Sequence, residues 1–110
     1  MKGGPTWEDD VADLVARIPP GRVLSYGDVA ELLGRGSARG VGRTMQLAGH
    51  RLAWWRVVRA DGGLHEPLRE RAGVEHAREG TPRRVDGRVD MARARWDAAC
   101  WDPAGWDPAG

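Results

Sequence analysis

Apolar residues recur at helical spacing along the first half of the chain. Val11, Leu14, Val15 and Ile18 fall at i, i+3, i+4 and i+7, one stripe of an amphipathic helix over about residues 7–18. Thr6 stands as its N-cap with Asp9 three residues on, and Glu8 and Asp10 add negative charge to the first turn. Pro19-Pro20-Gly21 stops the helix. After an extended Arg22-Val23-Leu24 the grammar repeats. Ser25 caps, Asp28 answers three residues later, Val29, Ala30, Leu32 and Leu33 supply the apolar positions, and Gly34 closes the helix. Ser37 opens a third helix, with Ala38, Val41, Met45 and Ala48 on its apolar face and Gly49 at its end.

The period then changes. Ala53-Trp54-Trp55-Arg56-Val57-Val58, followed by Asp61-Gly62-Gly63, reads as a strand and a turn. Strand neighbours point to opposite faces, so two adjacent indoles cannot both pack into one small core. At least one lines a cleft or faces a partner. Residues 66–79, with Pro67 in the first turn and Leu68, Ala72 and Ala77 as weak apolar contacts, predict a fourth helix that Thr81-Pro82 ends. Arg83-Arg84-Val85 and Arg88-Val89-Asp90-Met91 flank Asp86-Gly87, a two-residue hairpin signal, and Ala92 to Trp96 is expected to pack back on the domain. Trp101-Asp102-Pro103-Ala104-Gly105 recurs at 106–110, too few copies for a repeat fold and a composition that predicts disorder.

The second and third helices, joined by a glycine-containing turn, match a helix-turn-helix, an arrangement that serves DNA binding and plain structure alike. The expected fold is mainly α: a small winged helix-turn-helix-like domain over residues 1–97, with a short β-hairpin near the C-terminus, and a disordered Trp/Asp/Pro/Gly tail over 98–110. The 110 residues suffice for one modest core.

Charge moves the reading toward DNA. Net charge is only +1, but residues 37–84 carry ten basic side chains against five acidic ones. Between Glu31 and Asp61 there is no carboxylate, while Arg35, Arg39, Arg43, Arg51, Arg56 and Arg59 all lie there. A basic field without internal neutralisation suits a polyanion. Sixteen of the seventeen basic residues are arginine, a bias that makes a solvated arginine-rich face the plain alternative. The single cysteine, Cys100, lies beside the tail, so no disulfide, metal cluster or other cofactor is expected. The sequence shows neither a bilayer-spanning run nor an apolar leader, which predicts a cytoplasmic protein with no membrane partner. His50, His65 and His76 have no identifiable nucleophile beside them and read as surface or loop residues. Tyr26, the only tyrosine, starts the second helix, where its ring can pack or its phenol can reach a phosphate.

Three stretches together resemble a known family: Ile18-Pro19-Pro20-Gly21-Arg22-Val23-Leu24-Ser25-Tyr26-Gly27-Asp28-Val29-Ala30, then Ala38-Arg39-Gly40-Val41-Gly42, then Trp54-Trp55-Arg56-Val57-Val58-Arg59-Ala60-Asp61-Gly62. They resemble the DNA-binding domain of O6-alkylguanine-DNA alkyltransferases, and most closely the alkyltransferase-like proteins that lack the reactive cysteine. The likeness runs from about residue 7 to residue 96. In the alkyltransferases a Pro-Cys-His-Arg motif supplies a thiolate that takes the alkyl group. Here Ala53 stands for the proline, Trp54 for the cysteine and Trp55 for the histidine, while Arg56 matches. An indole has no usable lone pair and cannot substitute for the thiolate, so alkyl transfer to this protein is chemically implausible.

What the resemblance implies instead is recognition without catalysis. The helix-turn-helix docks in the minor groove and the target guanine is flipped out. Arg39 corresponds to the arginine that fills the vacated space, and Tyr26 to the tyrosine that crowds the 3′ phosphate. Extrusion costs a few kcal/mol, less for a damaged base, and stacking against aromatic walls returns about 1–3 kcal/mol. The candidate DNA contacts are Tyr26, Ser37, Arg39 and Arg43. The candidate lesion pocket is Trp54, Trp55, Arg56 and Val57, with Trp54 meeting the O6-alkyl group and Trp55 either pocket or core. The implied partners are duplex DNA containing O6-alkylguanine, bound by a monomer, and nucleotide excision repair proteins. A sequence-reading helix-turn-helix regulator is the alternative. Arg35-Gly36-Ser37-Ala38 is one residue shorter than its counterpart in the alkyltransferases, which would rotate or shorten the turn before Arg39. The segment after Leu64 diverges from the family, and Arg69 is the candidate pocket residue there.

Overall fold

A computed structural model describes residues 6–98, with Ala48 and Gly49 described by backbone alone. Helix α1 spans Trp7–Arg17, strand β1 Leu24–Ser25, helix α2 Tyr26–Leu33 and helix α3 Ala38–Ala48. A short 3-10 turn, Gly49–Arg51, follows, then a second, Trp54–Arg56. Strand β2 is Val57–Val58, helix α4 Glu66–Glu79 and helix α5 Met91–Ala94.

The caps legible in the sequence form. Thr6 Oγ1 accepts the Asp9 N–H at 3.1 Å while Asp9 accepts the Thr6 N–H at 3.2 Å, and Ser25 with Asp28 does the same for α2 at 3.0 and 2.9 Å. Such boxes satisfy helix N–H groups that no carbonyl can reach. Gly34 ends α2 in the left-handed region at φ 74°, and Ser37 Oγ accepts the Gly40 N–H to start α3.

Two apolar clusters flank the short sheet. Val11, Leu14, Val15 and Ile18 of the α1 face join Val29, Leu33, Val41 and Met45 in the first cluster. Val23, Val58, Leu64, Ala72, Val89 and Ala94 form the second. β1 and β2 run parallel, Leu24 opposite Val57 and Ser25 opposite Val58. Strand alternation sends Leu24 and Val57 to the first cluster and Val23 and Val58 to the second. The C-terminal segment returns as expected: Val23 donates to the Ala94 carbonyl at 3.0 Å and accepts from Trp96 N–H at 2.8 Å.

Several expectations change. The hairpin around Asp86-Gly87 is a tight turn with one antiparallel bridge, Arg83 to Val89, rather than two strands. Val89 alone has a buried face there, and Val85 is fully exposed, so nothing apolar holds a longer ladder. The tryptophan pair is not extended: Trp54–Arg56 is 3-10, and the strand begins only at Val57. Ala38 is exposed, and on α4 it is His76 rather than Ala77 that is buried beside Ala72. The Ala48 side chain and the tail from residue 99, including Cys100, lie outside the described residues; Ala98 is buried.

Candidate nucleic-acid interface

The α2–α3 turn is built against α1. Gly36 has φ +78°, and a Cβ there would lie 2.4 Å from the Trp7 ring. Only glycine allows both the backbone conformation and the close approach. Trp7 Nε1 donates to Thr44 Oγ1 at 2.9 Å, and Arg35 lies 5.6 Å from the Trp7 ring centre while pairing with Asp10. The α2–α3 turn is therefore clamped, and α3 leaves it with a fixed face outward.

That face carries Arg39, Arg43 and Gln46, spaced i, i+4 and i+7, and forms one wall of a cleft of about 860 Å³. His65, Pro67, Leu68 and Arg71 of α4 and its approach form the opposite wall. Tyr26 and Arg59 stand at the end of the sheet, and Trp54, Met45 and Leu64 give the apolar floor. Among the described residues four arginines and two histidines line the cleft, and no carboxylate does. Arg39, Arg43, Arg59 and Arg71 make no ion pair among the described residues. The volume lies in the range that encloses small ligands.

Of the residues singled out from sequence, Tyr26, Ser37, Arg39, Arg43 and Trp54 line this cleft. Trp55, Arg56 and Val57 do not. Val57 is fully buried in β2. Trp55 Nε1 donates to Glu79 Oε2 at 2.9 Å, and its carbonyl is 2.7 Å from His76 Nε2. Arg56 bonds Glu79 through Nε at 3.1 Å and Nη2 at 2.5 Å, and reaches the Ile18 carbonyl at 2.9 Å. These three form the support behind the cleft. The reason is helical: in a 3-10 turn successive side chains diverge by about 120°. Trp54 thus faces the cleft while Trp55 faces α4, and the rings meet edge-on at 5.7 Å. Arg69 also lies elsewhere, its Nε donating to the Leu64 carbonyl at 3.3 Å.

Sequence reading missed Arg59, Arg71, His50 and His65 as cleft residues. Arg71 sits 5.8 Å over the Trp54 ring, a cation–π contact. Glu79 and His76 were missed as supports because their partners are far away in sequence.

The ionisable groups follow their surroundings. Burial alone would raise the Glu79 pKa, but bonds from Arg56, the Gly21 N–H and Trp55 reverse this and lower it to about 2. Burial lowers the His76 pKa, so its ring is neutral against the Trp55 carbonyl. Burial raises the Tyr26 pKa, with Arg59 opposing, so the phenol keeps its proton. Among the described residues no three His, Cys, Asp or Glu side chains gather as a metal site, and no helix is long and apolar enough to cross a membrane.

Residues 6–81 match the family model for the 6-O-methylguanine DNA methyltransferase DNA-binding domain. A relative described as a DNA base-flipping protein in Escherichia coli (strain K12) is 38% identical over 92 residues, covering 79% of this chain and 71% of the relative. A Shigella flexneri protein of the same description matches equally. S. pombe Atl1, solved in complex with damaged DNA containing O6-carboxymethylguanine, superposes with a TM-score of 0.71 at 25% identity, covering 82% of this chain and 94% of that one. A second S. pombe ATL structure in complex with DNA gives 0.70 at 25% identity over 83% and 94%. With its helix-turn-helix, its parallel strand pair and its cleft all inside the matched region, the chain belongs to the family of 6-O-methylguanine DNA methyltransferase DNA-binding domains.

Proposed function

We propose that this protein recognises DNA damage by binding duplex DNA containing O6-alkylguanine and holding the damaged nucleotide extruded in the cleft, without chemistry of its own. The observation that carries the reading is Trp54. By the family resemblance it stands where the reactive cysteine would, it lies on the cleft floor, and no cysteine among the described residues lines the cleft. An indole offers stacking surface to a flipped base and cannot accept an alkyl group. The surrounding arginines supply the phosphate attraction. Arg39 at the start of α3 fits the role of the wedge that fills the vacated stack. Relatives described as base-flipping, and Atl1 bound to damaged DNA, support the same reading.

The finer steps are that the protein acts as a cytoplasmic, DNA-associated monomer and that the distorted site it holds is passed to nucleotide excision repair. Two experiments bear on this. Intact-mass measurement after incubation with an O6-methylguanine duplex is expected to show unmodified protein; a methyl adduct would contradict the reading. A reconstituted nucleotide excision system is expected to incise the lesion faster when the protein is present. Unchanged incision would remove the handover step alone.

A further inference from the structure

The two parallel strands end at the cleft. Ser25 is in register with Val58, so the next residue on each strand, Tyr26 and Arg59, leaves the sheet at the same level. The strands they leave are hydrogen-bonded neighbours, and the Arg59 charge acts on the Tyr26 phenol. Both side chains line the cleft. The Arg59 backbone is pinned twice, its N–H donating to the Gly63 carbonyl at 2.9 Å and its carbonyl accepting from Gly62 N–H at 2.8 Å. Its guanidinium makes no ion pair among the described residues. The nearest acid in sequence, Asp61, feels the Arg59 charge but makes no ion pair with it, accepting instead the Gly63 N–H at 2.9 Å and pairing with Arg88 at 3.7 Å. An arginine with an anchored backbone and a neutral O–H donor therefore stand side by side at the sheet end.

We propose that Arg59 and Tyr26 jointly bind one phosphate of the DNA backbone, the one flanking the nucleotide extruded into the cleft. The inference rests on the base-flipping reading above and deepens it. A phosphodiester is an acceptor-only anion, suited to a guanidinium fork and a phenol O–H together. Arg43, on the outward face of α3, meets a duplex whether or not a base is extruded. Arg59 is exposed at the sheet end and lines the same cleft as Trp54, so a nucleotide seated on Trp54 brings a flanking phosphate within its reach. The contact therefore belongs to the flipped state.

The test replaces each phosphate flanking an O6-methylguanine, one at a time, by a neutral methylphosphonate, and measures affinity by fluorescence anisotropy. At one of the two positions the replacement is expected to weaken wild-type binding about 5–20-fold and Arg59→Ala binding, which keeps only the Tyr26 contact, by a clearly smaller factor. Arg59→Ala is expected to lose about the same factor on the damaged duplex, with a salt slope about one unit shallower, and much less on the undamaged duplex. Arg59→Lys recovers part of the loss. An unchanged thermal melt confirms that the exposed substitution leaves the fold intact. Equal methylphosphonate losses in wild type and Arg59→Ala at both positions would overturn the inference alone, provided wild type still prefers the lesion. A wild type that binds damaged and undamaged duplexes equally would overturn the functional reading, and the inference with it.

Discussion

Glu79 accepts hydrogen bonds from three residues on two separate segments: the Gly21 N–H at 3.0 Å, the Trp55 indole at 2.9 Å and the Arg56 guanidinium. Its side chain is only 10% exposed. Removing one partner of so enclosed a pair strands the other, at a cost of about 3 kcal/mol. Glu79→Gln is expected to lower stability by about that amount in urea unfolding, and to weaken lesion binding by loosening the Trp54 turn. The pH dependence has a definite sign. The Glu79 carboxyl titrates near 2 in the folded chain against an ordinary 4.5, so its contribution is present above pH 4.5 and is lost as pH falls toward 2. His76 has a lowered pKa in the fold, so the unfolded chain takes up its proton first. Its contribution is present above pH 6.5 and declines below it. Urea titrations are expected to show stability falling from pH 6.5 downward, and His76→Gln, which keeps a donor for the Trp55 carbonyl, flattens the step between 6.5 and 4.5.

At the scale of elements, the α2–α3 turn decides where Arg39 points. Its length alone suggested a rotated or shortened connection, and the clamp by Trp7 is what the local sequence does not disclose. Gly36→Ala introduces both a left-handed alanine and a clash with the Trp7 ring, and is expected to cost about 2–3 kcal/mol, read as a lower melting temperature. The helices were legible because caps and apolar spacing are local signals: Thr6 with Asp9, Ser25 with Asp28, and the Val11–Ile18 stripe all do what their spacing demands. The tryptophan turn was not. Trp54–Arg56 is 3-10 because Trp55 and Arg56 are drawn to Glu79, more than twenty residues away. Strand alternation therefore assigned the wrong neighbours: the two indoles do diverge, but one turns to the cleft and the other to a buried carboxylate. The 83–89 turn failed as a hairpin for the opposite reason, a strong turn signal without apolar partners to extend it.

At the scale of the whole molecule, the charge asymmetry of the chain becomes spatial. The carboxylate-free interval between Glu31 and Asp61 folds into one wall and most of the floor of the cleft and gives Arg59 at the sheet end, and α4 adds Arg71 from outside that interval. Four of the five sequence candidates that reach the cleft come from that interval, Tyr26 being the exception. The far wall, from His65 to Arg71, was invisible because nothing local ties α4 to Trp54. Arg39→Ala is expected to weaken lesion binding much more than binding to undamaged DNA, since a wedge acts only when a base has left the stack. A uniform loss on both duplexes would make Arg39 an ordinary phosphate contact. The central claim is that the cleft holds an extruded O6-alkylguanine. It is tested most directly by equilibrium affinity, at one fixed salt concentration, for two duplexes that differ only by a methyl group on O6 of a single guanine. Tighter binding of the methylated duplex, by about tenfold or more, is the predicted result; equal affinity for the two would contradict it.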